Sequence, residues 1–88
     1  MKLRAEFVVR QVLDDIVAIP VGESALQLNG IILLNDVSRV IWQCLEQDTQ
    51  PDAILRAVTE AFEVSPQEAE ADIMEFLDKL RAAKLLQE

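Results

Sequence analysis

The chain has no histidine, one cysteine, two glycines and eight basic residues in 88. Each shortage removes a class of chemistry. Without histidine there is no Ser-His or Cys-His dyad and no imidazole metal ligand, and the lone Cys44 cannot build a zinc site or a disulfide framework. Gly22 and Gly30 are too few for a glycine-rich phosphate loop. No segment approaches the roughly 20 apolar residues of a membrane helix, and Met1 to Arg10 holds no apolar run of signal-peptide length, so a cytoplasmic location is expected. Sixteen acidic side chains against eight basic ones leave a net charge of −8. The average surface therefore repels phosphate backbones and anionic lipid, and neither nucleic acid nor membrane is an expected partner.

What remains is a core-forming composition, with 51% of residues hydrophobic and 27% charged. A chain this short cannot divide and still bury enough apolar surface in each half, so residues 1–88 are read as one domain. Its carboxylates have ordinary explanations. Asp14 and Asp15 suit a turn, and Glu68, Glu70, Asp72 and Glu75 suit the solvated, N-terminal part of a helix. Cys44 falls on an apolar helix stripe and is read as a small core residue. No catalytic residue, metal ligand or cofactor is expected.

The hydrophobic period changes midway along the chain. From Glu6 to Leu13 the residues are rich in β-branched types and end at the turn-prone Asp14-Asp15 pair, which predicts a first strand. Ile16 to Ile19 run up to Pro20, which has no N–H to give to a ladder, so a second strand should end there. Gly22, Glu23 and Ser24 form the next break. The spacing predicts a third strand over Gly30 to Leu34, entered from an irregular Ala25 to Leu28 segment. Asn29-Gly30 also allows a tight hairpin pairing Leu26 to Leu28 with Ile31 to Leu33.

After Leu34 the period is that of helices. Asn35 or Asp36 can cap a first helix, whose stripe is Val37, Val40, Ile41, Cys44 and Leu45. Trp42 lies on the same helix and is expected to fill the core, so that truncation to alanine would cost about 3–5 kcal/mol. Thr49 followed by Pro51 predicts a second helix, with Ile54, Leu55, Val58, Ala61 and Phe62 on one face. Ser65, Pro66 and Glu68 start a third, running to about Ala83, with Ala69, Ile73, Phe76, Leu77 and Leu80 as its apolar positions. Strands followed by helices, without alternation, define an α+β class.

These signals, in this order, resemble the PqqD family, the peptide chaperones of pyrroloquinoline quinone biosynthesis and related recognition elements for ribosomally made, modified peptides. The residues that carry the resemblance are Asn29-Gly30, the following apolar strand, Leu34-Asn35, Ile41-Trp42 and Leu45-Glu46. Ser65-Pro66, Asp72-Ile73, Phe76-Leu77, Leu80 and Leu85-Leu86 add to it. Arg39 departs from the family's pattern, which has a small residue there. The resemblance implies a winged-helix-like domain, a three-stranded antiparallel sheet followed by three helices. It also implies a non-catalytic adaptor that binds the leader of a precursor peptide by β-strand addition beside the third strand. The partners would be that leader and a modifying enzyme of the radical S-adenosylmethionine type.

A free strand edge beside an apolar helix face has the physics of β-augmentation. The expected peptide-binding residues are Gly30, Ile31, Ile32 and Leu33 from the strand and Ile73, Met74, Leu77 and Leu80 from the third helix. The same edge could join two copies into a homodimer. The alternative function is a winged-helix-like nucleic-acid-binding or regulatory protein-interaction domain, against which the acidic third helix argues.

Overall fold

The computed structural model describes residues 1–23 and 30–88. Phe7–Val12 (β2) and Asp15–Pro20 (β3) form an antiparallel hairpin in register from Phe7 opposite Pro20 to Val12 opposite Asp15. The two-residue turn, Leu13-Asp14, is one residue earlier than the Asp14-Asp15 pair, because Asp15 already pairs with Val12. Pro20 closes β3, as its missing donor requires.

Ile32–Leu34 (β4) adds antiparallel to β3, with Ile32, Leu33 and Leu34 opposite Ala18, Val17 and Ile16, and the sheet order is β2-β3-β4. The third strand is thus shorter than Gly30 to Leu34. Gly30 sits at φ 86°, a left-handed conformation open to glycine, and turns the chain ahead of the strand. A Cβ there would meet nothing within 4 Å, so backbone conformation rather than space selects glycine. The alternative hairpin, the irregular Ala25 to Leu28 segment and Ser24 lie outside the described residues.

Helix α1, Asp36–Leu45, is capped by Asn35: its Oδ1 accepts from the Ser38 N–H at 2.8 Å, and the Ser38 Oγ accepts from the Asn35 N–H at 2.8 Å. This reciprocal box buries Ser38 without leaving it unpaired. Arg39 is exposed, so its bulk does not disturb the helix start. Helix α2 is Pro51–Ala61, and its N-cap is Gln50 rather than Thr49, with no side-chain cap bond. Pro51 itself removes one of the donors that a cap would satisfy. Helix α3, Pro66–Ala82, starts at Ser65, whose Oγ accepts from the Glu68 N–H at 3.2 Å.

A second, two-stranded sheet was not foreseen: Lys2–Leu3 (β1) pairs antiparallel with Leu86–Gln87 (β5). Strands of two residues carry no period that could announce them. The pairing places Leu85 and Leu86 under the helices, where both are buried.

The core lies between the inner face of the sheet and the three helices. Ile16, Ala18 and Leu34 contribute from the sheet, and Ile41, Trp42, Leu45, Ile54, Val58, Ala69, Ile73, Leu77 and Leu80 from the helices. Trp42 is 1% exposed and meets Phe7 edge-to-face, with ring centroids 5.1 Å apart, and Phe76 at 6.5 Å. It is therefore core, as its size in a small domain led us to expect. Cys44 is half-buried, and burial pushes its thiol pKa up. No helix among the described residues is long and apolar enough to cross a membrane.

Candidate functional site

Alternation along β4 sends Ile32 and Leu34 toward the core and leaves Leu33, between them, 67% exposed. Among the described residues β4 pairs on one side only, with β3. Its other edge presents backbone donors and acceptors that no described strand pairs. Beside that edge lies a cavity of roughly 430 Å³. Ile32, Leu33, Asn35, Val37, Ser38 and Ile41 border it from β4 and the start of α1. Asp72, Glu75, Phe76, Lys79, Leu80 and Ala83 border it from α3, and Leu85 closes it. The volume suits one or two side chains, and it is lined by a mixture of apolar groups and rim charges.

The expected site residues divide four ways. Gly30 and Ile31 are exposed just ahead of β4, Ile31 at 54%. Ile32, Leu33 and Leu80 border the cavity. Ile73 and Leu77 are instead core residues, at 3% and 0% exposure, because α3 must spend its most apolar stripe on holding itself to the domain. Met74 is 45% exposed and does not border the cavity; it projects from the opposite flank of the helix.

Residues 72, 76, 79 and 83, spaced by four, three and four, line the cavity as a stripe next to the core stripe of 69, 73, 77 and 80. A sequence signal for it exists. Phe76 is the aromatic residue of α3 and falls off the core stripe; it is half-buried, touching Trp42 on one side and the cavity on the other.

The charged groups of the rim are loosely held. Lys79 Nζ lies 3.8 Å from Glu75 Oε1, and both side chains are 71% exposed, so the pair contributes little to stability. Asp72 has no ion pair among the described residues. Among the described residues that border the cavity, no nucleophile is paired with a base.

Fold and cavity together define a winged-helix-like α+β domain with a strand edge unpaired among the described residues, beside a groove of mixed apolar and charged lining. The chain belongs to the PqqD family: the family model described as coenzyme PQQ synthesis protein D matches residues 21–86. No curated protein matches it. Among solved structures it is similar to TbiB1 in complex with the TbiA(beta) leader peptide, at 25% identity and a TM-score of 0.72, over 99% of this chain and 95% of that one.

Proposed function

We propose that this protein is a non-catalytic adaptor that captures the leader of a ribosomally made precursor peptide as an added strand along β4 and presents it to a modifying enzyme. The observation that carries this reading is that β4, among the described residues, pairs on one side only, directly beside the groove between β4, α1 and α3. The family and the leader-bound neighbour point the same way. Family membership makes a radical S-adenosylmethionine enzyme the natural partner, in the cytoplasm where precursor peptides are translated.

The energetics require both parts of the site. Each added backbone hydrogen bond nets about 0.5–1.5 kcal/mol, and a strand of three residues supports few of them. The ordering of a flexible peptide cancels much of that gain. An aliphatic side chain fully buried in the groove adds about 1.5–3 kcal/mol. Backbone pairing thus supplies direction and register, while the groove supplies most of the selectivity.

Titration of leader peptides into isotope-labelled protein tests the reading. Backbone amide signals of Gly30 to Leu33 should shift together with those of Phe76 and Leu80. Silence at these positions with a peptide shown to be processed by the partner enzyme would remove it.

A further inference from the structure

We propose that the groove selects its peptide by charge as well as by apolar fit: the captured segment carries a basic side chain two positions from the apolar residue that fills the cavity, held by Asp72 and Glu75. This rests on the strand-capture reading above and specifies what that strand contains.

The wall that α3 gives to the groove runs from acidic to aromatic to basic, through Asp72, Glu75, Phe76, Lys79 and Ala83. At 1.5 Å of rise per residue, Asp72 lies about 6 Å along the axis from Phe76 on one side, and Lys79 about 4.5 Å on the other. Side chains on one face of an extended peptide recur every second residue, about 7 Å apart. A peptide lying along this wall with an apolar residue over Phe76 therefore brings its same-face neighbours near Asp72 on one side and near Lys79 on the other, with Glu75 between Asp72 and Phe76. The match holds for either direction of the peptide, with the order of the two charges reversed.

The basic neighbour carries the selectivity. Asp72 borders its position with no ion pair among the described residues, and Glu75, though shared with Lys79, adds negative charge beside it. Lys79 is already partly neutralised by Glu75 at 3.8 Å, so an acidic neighbour gains less. The chain's net charge of −8 favours cationic peptides over anionic ones in the same sense.

Folding does not require the two carboxylates. Both lie beyond the first turn of α3, where Glu68 is the acidic residue and where a negative charge stabilises a helix start. The core contacts of α3 are made by Ala69, Ile73, Leu77 and Leu80.

The test is to pan a display library of random short peptides on the immobilised protein. Enriched peptides are then titrated calorimetrically into the wild type and into the double variant Asp72→Asn/Glu75→Gln. The expected result is enrichment of Lys or Arg two positions from an aliphatic or aromatic residue. Kd should rise about threefold to tenfold in the double variant, with a smaller difference at high salt. Panning on Asp72→Lys/Glu75→Lys should enrich Asp or Glu at the same position. Unchanged thermal unfolding of the variants would place the effect in binding.

Peptides that shift the Ile32 and Leu33 amides, yet show no charge preference and bind the double variant equally well, would overturn charge selection and leave strand capture standing. If no peptide enriches, or none shifts β4, both readings fall together.

Discussion

Leu13 and Lys84 hold left-handed backbone conformations, at φ 56° and 61°, without being glycine. Lys84 follows the end of α3 in a Schellman arrangement: the Leu85 N–H donates to the Leu80 carbonyl at 2.9 Å and the Lys84 N–H to the Arg81 carbonyl at 3.0 Å. A Cβ in this conformation costs about 1–2 kcal/mol, and glycine's extra freedom in the unfolded chain returns about 0.4–1 of it. Lys84→Gly should therefore raise stability by roughly 0.5–1 kcal/mol, a gain of several degrees in Tm readable by calorimetry.

Nearby, the Arg81 guanidinium donates to Glu88 Oε1 at 2.9 and 3.1 Å and to Asp78 Oδ1 at 3.0 Å. The hydrogen bond from Arg81 holds the Glu88 carboxyl below its usual value of 4.5. A depressed folded-state pKa means that this contribution is present above the unfolded value and is lost as pH falls through the folded one. Glu88→Gln should accordingly lower Tm slightly at neutral pH, with the gap to wild type closing on acidification. Glu88 is fully exposed, so the effect is small.

At the scale of elements, β4 decides most. Backbone groups along a strand point alternately to its two neighbours, so one of Ile32 and Leu33 aims its N–H at β3 and the other at the free edge. Proline at the edge-facing position should leave the thermal transition near that of the wild type and abolish leader binding. Proline at the other should break the ladder with β3 and lower Tm sharply. A calorimetric melt and a leader titration on both variants check this, and two variants that melt and bind alike would contradict it.

Helix α3 shows how far the site was readable in advance. Its helical period was plain, and so was the need for an apolar stripe. Which of several adjoining stripes turns inward is a different matter, because Ala69, Ile73, Leu77 and Leu80 are separated from Phe76 by only a small rotation about the axis. Ile73 and Leu77 are natural candidates for the peptide for that reason, and the packing of α3 against α2 and α1 assigns them to the core instead. β4, by contrast, could be located to within two residues, since its apolar run is bounded by a glycine and by a helix cap.

For the molecule as a whole, the row of rings from Phe7 on β2 through Trp42 on α1 to Phe76 on α3 ties sheet, helices and groove together. Removal of the central ring by Trp42→Ala should cost about 3–5 kcal/mol. Folded domains hold only about 5–15 kcal/mol in all, so the urea midpoint should fall by at least about a fifth, and the groove should loosen through Phe76. The type and order of the main elements, the caps at Asn35 and Ser65, the core role of Trp42 and the α+β class were determined by the amino-acid sequence alone. Each depends on residues within a turn or two of one another or on bulk composition. The closure of β1 on β5, the one-sided pairing of β4 among the described residues and the choice of the Asp72–Phe76–Lys79 stripe as groove wall were decided only by the tertiary structure. These depend on which distant segments meet, and periodicity along the chain records which faces are apolar without recording what each face will touch.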